Sequence, residues 1–311
     1  MKKKIIVLII LFVLLICTGC TKYIKDEDKK IVKYEKTGQN LTANILCKPS
    51  TDNLIKEYEK HDDKLAIKME KLPVCKNFKP SSIKYTGPWE SIFVKPLAFV
   101  ILKVGNLVKN YGLSVMIVGL LIRIIMLPLS IKSTKQAQNM KKAKPEIDKI
   151  EKKYKDKTDS ASMMAKSQET MLIYKKNNIN PLSGCLMAFV QLPLFFAFLE
   201  AINRVPAIFE GKFATLNLGM TPWVGIASGK YLYIILIALI IITTYFSFKN
   251  TMASTAPTDT KDATNQMQFM FKFMIIMISV ASLSLPAAIA LYWIVTNGFA
   301  IVQNIIVKRM V

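Results

Sequence analysis

The sequence predicts an all-α polytopic membrane protein, and three observations lead to this fold class. Of the 311 residues, 52% are hydrophobic, and the mean hydropathy is +0.31. The hydrophobic residues are gathered into long runs, and a helix of roughly 20 apolar residues crosses a bilayer core of about 30 Å. The formal charge of +22 lies in blocks between these runs, as is typical of membrane proteins whose loops hold the basic residues. Because Lys is segregated from the apolar residues, the basic excess does not indicate recognition of a specific nucleic-acid sequence.

Residues 1–19 have the pattern of a secretory signal peptide. Three lysines precede the apolar run Ile5 to Ile16, which is too short to cross a membrane as a stable helix. Thr18-Gly19-Cys20 then resembles a bacterial lipobox, in which the Cys becomes the lipid-modified first residue of the mature protein. We therefore predict a fatty-acyl (palmitate-type) anchor at Cys20. Ordinary cleavage, or an uncleaved anchor, is the alternative interpretation.

Residues 20–86 are expected to form an extracellular, lipid-anchored region. Over 21–86 the chain carries 15 Lys and 10 Asp or Glu without a regular period, which favours a small and loosely structured segment. Cys47 and Cys75 would meet an oxidising exterior, so a disulfide between them is a plausible hypothesis.

An interfacial amphipathic helix is predicted over 87–112. One helical face carries Leu97, Val100, Ile101, Val104, Val108 and Tyr111, and the opposite face carries Lys103, Asn106 and Asn110. This pattern is typical of a helix that lies in the membrane interface. A partly buried helix packed on the bundle gives the same pattern.

Residues 113–311 are expected to form a core of five transmembrane helices. The apolar runs are Leu113–Ile131, Pro181–Asn203, Tyr231–Phe248, Met267–Leu285 and Ala287–Val307. Five spans that start outside end inside, so the loop 132–176, with its net charge of +7, and the C-terminal tail would lie in the cytoplasm of a bacterial cell.

The cytoplasmic loop 132–176 predicts a hairpin of two antiparallel helices. Apolar stripes recur at Met140, Ala143, Ile147, Ile150 and Tyr154, and at Met164, Ser167, Met171 and Tyr174. Each stripe is narrow and the remaining surface is charged, so the two helices should pair along their stripes. The basic surface is either a solvated face or a docking arm for lipid headgroups, nascent chains or RNA-rich partners.

The first span contains a single charge, Arg123, near its middle. A central Arg costs about 2.5 to 3.5 kcal/mol on insertion scales, so it should face a wet cavity or a carboxylate. Gln191 and Asn297, in the second and fifth spans, carry amides that each need several hydrogen-bond partners. These residues are candidates for the lining of a polar cavity.

The sequence offers little for catalysis or metal binding. His61 is the only histidine and the five cysteines form no CxxC pair, so a His-based triad and a His/Cys metal cage both lack residues. We expect a protein that is not an enzyme and uses no metal or cofactor. A transporter or channel is the leading alternative, although no internal repeat is visible. An intramembrane enzyme with Cys185 as nucleophile is a weaker one.

Several motifs together resemble the YidC/Oxa-type membrane protein insertases, in the lipoprotein form found in Gram-positive bacteria. The matching stretches are Gly119-Leu-Leu-Ile-Arg123-Ile-Ile-Met-Leu-Pro128-Leu, the run Pro145 to Lys157, Tyr174 to Cys185, Val190-Gln191-Leu-Pro193-Leu-Phe, and Leu291-Tyr292-Trp293-Ile-Val-Thr-Asn297. Their order and spacing agree with the family from about residue 88 to the end.

The resemblance implies a hydrophilic groove that is open to the cytoplasm and to lipid but closed toward the outside. Arg123 matches the family's groove arginine, Gln191 and Trp293 match groove-lining positions, and Gly119 and Asn297 lie in the same motifs. The implied partners are nascent membrane proteins, the Sec translocon, the ribosome, a targeting receptor and membrane lipids. Two departures are the short tail after Val307 and the long exported region.

Overall fold

The computed structural model describes residues 21–84, 86–157, 159–180, 183–255 and 261–310. The predicted signal peptide and Cys20 lie outside these residues. Within them the chain is mostly helical, so the predicted all-α polytopic class is confirmed. The chain folds into two compact units. Of the described residues, the first comprises those within 21–120, 191–238 and 281–293, and the second comprises those within 121–190, 239–280 and 294–310.

Eleven α-helices and four short strands are described. In chain order they are β1 (Lys33–Tyr34), β2 (Gln39–Asn40), α1 (Asp52–Glu59), α2 (Lys95–Val108), α3 (Tyr111–Ile125), α4 (Leu127–Lys153), α5 (Ser160–Lys176), α6 (Ser183–Asn203), α7 (Pro206–Glu210), β3 (Lys212–Phe213), β4 (Leu216–Asn217), α8 (Pro222–Ala227), α9 (Leu232–Thr255), α10 (Lys261–Ser284) and α11 (Ala287–Met310). β1 pairs with β2, and β3 with β4, both antiparallel. A π-helical turn, Glu90–Val94, leads into α2.

The region predicted to be exported, residues 21–84 of the described chain, has a buried core of its own. Leu41, Tyr58 and Phe78 are each at most 3% exposed, and a disulfide joins Cys47 to Cys75. The two cysteines are 28 residues apart in the sequence. A disulfide across this separation reduces the conformational entropy of the unfolded chain and so raises the free energy of unfolding by about 3 to 4 kcal/mol. The hypothesised disulfide is confirmed, whereas the expectation of a loosely structured segment is wrong. The segment folds through short turns and isolated bridges, which leave no periodic signal in the sequence.

Hydrogen bonds join the exported region to the end of α6 and to the segment that follows it. Leu46 N–H donates to the carbonyl of Arg204 at 2.8 Å, and the Thr42 hydroxyl donates to the carbonyl of Asn203 at 2.9 Å. Farther along, Thr221 N–H donates to the carbonyl of Thr37 at 2.8 Å. The exported region is therefore an integral part of the first unit and not a tethered tail.

Helix α2 lies along the exported segment 76–84. Near its start, Lys95 Nζ donates to the carbonyl of Lys84 at 2.7 Å, and near its end Asn106 Nδ2 donates to the carbonyl of Lys76 at 3.5 Å. Glu90–Val108 is long and apolar enough to cross a membrane. However, both ends of a helix about 21 Å long contact one short polar segment, which favours the predicted interfacial position over a crossing.

The buried face of α2 differs from the predicted one. It consists of Lys95, Ala98, Ile101, Leu102 and Gly105, whereas Val100 of the predicted apolar stripe is 38% exposed. The helix thus has an apolar face toward the protein and a second apolar face that the described residues leave uncovered.

The predicted first span is not one continuous helix. It was expected over Leu113–Ile131, but α3 ends at Ile125, α4 begins at Leu127, and the two are bent by 57°. Pro128 explains the break, because it has no N–H to donate to the carbonyl four residues earlier and its ring crowds that carbonyl.

The other predicted spans are represented to different extents. Leu232–Lys249 and Ala287–Val307, the third and fifth, are long and apolar enough to cross a membrane. The second and fourth correspond to shorter apolar stretches in the described residues, Pro193–Asn203 and Ile275–Ser284. The structure therefore describes three helices that suit a crossing, or four if the bent pair is one span, and the total of five stays a prediction.

Helices α4 and α5 form the predicted antiparallel hairpin. Lys153 Nζ lies 2.6 Å from Glu169 Oε1, and Lys176 Nζ lies 3.1 Å from Glu146 Oε2. In both pairs the two residue numbers add up to the same value, as they do when two helices run antiparallel in a single register. At the Glu146–Lys176 end of the hairpin, Ile147 is buried in a cluster with Ala143 and with Ile179, which follows α5.

The apolar stripe predicted for α4 is confirmed, whereas the one predicted for α5 is wrong for its methionines and holds only at Tyr174, which packs against the buried cluster of Ala143, Ile147 and Ile179. Ala143, Ile147 and Ile150 are at most 8% exposed, whereas Met164 and Met171 are 62% and 49% exposed. Glu169 accepts hydrogen bonds from Lys153 and the Tyr154 hydroxyl, and these bonds turn α5 so that its methionines face outward.

The hairpin should loosen in acid. The Lys153 ammonium, and then the Tyr154 hydroxyl, hold the pKa of Glu169 below its ordinary value. A lowered carboxyl pKa stabilises pairing above the unfolded pKa of about 4.3, and that contribution is lost as pH falls through the folded pKa. We predict that nitroxides at Lys152 and Gln168, in a chain with Cys185→Ser, keep one narrow distance from about pH 7 to 5 and a broader one below about pH 4. Glu169→Gln should remove the change, and equal broadening in that variant would contradict the assignment.

Candidate functional site

Arg123 lies in the last turn of α3, beside the bend. It is half-buried and follows Gly119 by four residues, so the two share one helical face. The end of a helix carries partial negative charge on its last carbonyls, which favours a cation there. Arg123 therefore lies near the end of an apolar helix, shortly before the break that precedes the long polar helix α4.

Gln191 and Trp293 lie on two helices that meet through aromatic rings. Phe195, one turn after Gln191 on α6, stacks on Trp293 of α11 with ring centroids 5.8 Å apart and planes 7° apart. Phe198 stacks on Tyr292 at 4.1 Å. Such ring pairs add about 0.5 to 1.5 kcal/mol beyond area burial, so this contact fixes α6 against α11 beside both candidate residues.

Asn297 joins α11 to α9. Its Nδ2 donates to the hydroxyl of Thr244 at 3.0 Å, and Thr244 is buried. Polar side chains that bond across apolar helices hold them together because no water competes for the bond. Asn297 therefore contributes to the packing of α11 against α9, independently of any role in lining a groove.

The five predicted residues divide between the two units. Gly119, Gln191 and Trp293 belong to the first unit, and Arg123 and Asn297 belong to the second. The structure joins the helices of Gln191 and Trp293 through one aromatic contact, and it joins Asn297 to Thr244. The proposed common groove for all five stays a prediction.

The sequence reasoning missed a cluster of buried charges in the first unit. The Arg204 side chain is 3% exposed, and its guanidinium lies 2.9 Å from Glu90 Oε1 and 2.9 Å from Glu200 Oε1. Arg204 Nε also donates to the carbonyl of Asn44 at 2.7 Å. One guanidinium therefore joins the exported region, the turn before α2 and the end of α6.

Two further groups complete the cluster. Trp89 Nε1 donates to Glu200 Oε2 at 2.9 Å, and Lys95 Nζ lies 3.7 Å from Glu90 Oε1. The cluster contains two carboxylates and two cations, so its charges balance. Removing one member of such a buried set leaves an uncompensated charge. The only sequence signal was the four-residue spacing of Glu200 and Arg204 on one helical face.

Comparison with known proteins decides the family. The model of the 60Kd inner membrane protein family matches residues 103–311, about two thirds of the chain. The chain belongs to the YidC/Oxa-type insertase family. It is 40% identical over 230 residues to membrane protein insertase YidC 2 of Bacillus anthracis, covering 74% of this chain and 84% of that relative.

Two other relatives of the YidC/Oxa family show similar coverage. Membrane protein insertase YidC of Oceanobacillus iheyensis is 36% identical, over 72% of this chain and 84% of the relative. Membrane protein insertase MisCA of Bacillus subtilis is also 36% identical, over 71% of this chain and 79% of the relative.

The family match separates two parts of this YidC/Oxa chain. The five predicted groove residues, with Glu200 and Arg204, lie inside residues 103–311. Glu90, Lys95 and the disulfide lie before that range. The charge cluster therefore joins the family core to an exported segment that the family model does not match.

Removing the shared guanidinium should destabilise the first unit. We predict that Arg204→Ala lowers the free energy of unfolding by about 3 to 5 kcal/mol, because two buried carboxylates lose their partner. The neutral set Arg204→Met, Lys95→Met, Glu90→Gln and Glu200→Gln should cost less, because it leaves no buried ion without its partner. Protease digestion of the exported region during a thermal ramp measures both effects.

The exposed pair Lys60–Glu57, at 2.8 Å, supplies the control. Its double alanine variant should digest like the unchanged chain, because surface pairs contribute little. Equal stability of Arg204→Ala and the unchanged protein would contradict the role given to the cluster.

Proposed function

We propose that this chain is a membrane protein insertase and chaperone of the bacterial cell membrane. It would move short polar extracellular segments of client proteins partway across the bilayer and release their apolar helices into lipid, alone or with the Sec translocon. Family membership and the names of the relatives support insertion as the activity. We further propose a lipid anchor at Cys20, an extracellular N-terminus and a cytoplasmic C-terminus.

One observation carries the mechanism: a guanidinium sits in the last turn of the apolar helix α3, where the helix bends by 57°. A cation in hydrocarbon is costly, so its neighbourhood must admit water or anionic groups. We propose that Arg123 maintains a wet groove lined also by Gly119, Gln191, Trp293 and Asn297. Water in the groove shortens the hydrocarbon path that a client's polar segment must cross.

Arg123 would also hold the client. A guanidinium binds carboxylates through a planar pair of N–H donors, so an acidic client segment would dwell in the groove instead of returning to the cytoplasm. The client's apolar helix then leaves sideways into lipid, and its burial makes up for the cost of bringing the polar segment across. These steps break no covalent bond and need no cofactor, in keeping with a protein that is not an enzyme.

The hairpin α4–α5 would receive clients and their delivery partners. Met163, Met164, Met171 and Leu172 are between 49% and 63% exposed on α5. Unbranched thioether side chains adapt to varied apolar sequences, and the surrounding lysines suit an acidic or RNA-rich partner. We propose nascent membrane proteins as the apolar partners, with the ribosome, the targeting receptor and the Sec translocon docking on the same side.

The charge of Arg123 should matter most for clients with acidic segments. We predict that Arg123→Ala lowers insertion of such a client into reconstituted vesicles by about tenfold or more, because a hydrogen bond to a charged group contributes about 1.5 to 3 kcal/mol. Arg123→Lys should retain more activity, since it keeps the charge and loses only the paired geometry.

Lys132→Ala serves as the matched control, because it removes an exposed charge a few residues farther along the chain. It should insert normally, and a client whose acidic residues are replaced by Asn and Gln should be less sensitive to Arg123→Ala. If Arg123→Ala inserts the acidic client as well as the unchanged protein does, the groove mechanism is wrong. Solute flux without client insertion would instead support a transporter or channel.

A further inference from the structure

The charge of the exported part of the chain is unevenly distributed. Residues 21–70 carry eleven Lys and ten Asp or Glu, whereas residues 71–111 carry seven Lys and one Glu. That single acid, Glu90, is buried in the cluster with Arg204, together with Lys95. The exposed charges of 71–111 are therefore all positive. They are Lys71, Lys76, Lys79, Lys84, Lys103 and Lys109.

These lysines border an apolar surface. Val100 and Leu107 lie on the exposed face of α2 and are 38% and 81% exposed, and Ile92, in the π-helical turn before the helix, is 62% exposed. The lysine-bearing segment 76–84 runs along the same helix, as the two hydrogen bonds at the helix ends show. Beyond the helix, Asn110 Nδ2 donates to the carbonyl of Lys212, which adds another exposed lysine at this edge.

Lys103 shows how charge and apolar surface are combined within the helix. It lies between Val100 and Leu107 on the uncovered face, and its ammonium sits 5.7 Å from the centre of the Phe99 ring. A lysine packed beside an aromatic ring keeps its methylene groups on apolar surface while its ammonium reaches a polar layer. An apolar stripe with lysines at its rim is typical of surfaces that lie on anionic bilayers.

We propose that residues 71–111 form a binding surface for anionic phospholipid headgroups. The apolar face of α2 would enter the acyl boundary of the outer leaflet, and the lysines would contact lipid phosphates around it. Each lysine near an anionic leaflet adds to the attraction, so the six together would select anionic over zwitterionic lipid. Lys95 links the carbonyl of Lys84 to Glu90 of the charge cluster. Lipid binding at this surface would therefore hold α2 and the exported region at the same depth in the membrane.

The experiment measures the depth of α2 in vesicles of defined composition. A nitroxide is placed at Leu107→Cys in the full chain carrying Cys185→Ser, and its exposure to oxygen and to an aqueous nickel complex gives its depth. With 30% phosphatidylglycerol in phosphatidylcholine the label should lie deeper than in phosphatidylcholine alone, with aqueous accessibility reduced roughly threefold or more. About 1 M salt should reverse the shift, because it screens surface charge.

Two quadruple variants with the same change in charge test the surface. Replacing Lys76, Lys79, Lys84 and Lys103 by Gln should abolish the dependence on anionic lipid. Replacing Lys25, Lys29, Lys33 and Lys36 by Gln should leave it intact, because these exposed lysines lie in the charge-balanced part of the region. An intact Cys47–Cys75 disulfide and unchanged protease resistance confirm that both variants fold.

Three results would overturn the proposal. The label could lie at equal depth in both kinds of vesicle, or the two quadruple variants could lose the dependence on anionic lipid equally. Soluble polyphosphate, and not lipid, could also protect these lysines from an amine-reactive reagent. The last result would indicate a polyanion other than a lipid. Reaction of the same cysteine with a membrane-impermeant reagent on intact cells reports its side, so an error in topology is distinguished from a failure of lipid binding.

Discussion

A bilayer core offers neither water nor counter-ions, and this constraint accounts for where the chain places its charges. In the long apolar helices α9 and α11 the basic residues lie only in the C-terminal part, at Lys249, Lys308 and Arg309, and most of the others are gathered in the hairpin α4–α5 and in the exported segment. Each charge that remains near the apolar core must be compensated where it stands. The requirement applies to Arg123, in the apolar helix α3, and to Arg204, directly after α6.

Arg204 is compensated by permanent partners. Its guanidinium binds Glu90, Glu200 and a backbone carbonyl of the exported region, and these bonds stabilise one fixed arrangement of the first unit. Arg123 lies beside a helix break that Pro128 explains. The proposed function gives Arg123 a different role, as a transient site for client carboxylates beside this break. One chain would thus use the same chemical group for structure and for transport.

How much could be predicted from the sequence differs among the elements. Helices α9 and α11 were predictable, because a long apolar run has few structures other than a spanning helix. The hairpin was predictable in its pairing but not in the rotation of α5, since Met164 and Met171 look like core residues until the bonds of Glu169 are known.

The charge cluster and the exported fold were less accessible from sequence. Trp89 and Glu200 are 111 residues apart in the chain, and no local pattern links such distant positions. The core of the exported region is dispersed among short turns, so its residues show neither a helical nor a strand period. Pro128 was a sequence signal for the bend after α3. It lies within a continuous apolar run, however, and that run predicted one unbroken spanning helix. Among the site residues, the family motifs identified Gln191 and Trp293, and the structure adds the ring contact between their helices.

The central claim is that clients pass through a polar groove of this protein. Site-specific photocrosslinking to a stalled nascent chain, with an acidic segment before its apolar helix, tests this most directly. The account predicts crosslinks from probes at Gln191 and Trp293 and much weaker ones from Ile276, which is 62% exposed on the apolar helix α10. A functional protein that crosslinks equally from Ile276, or not at all from Gln191 and Trp293, would contradict it.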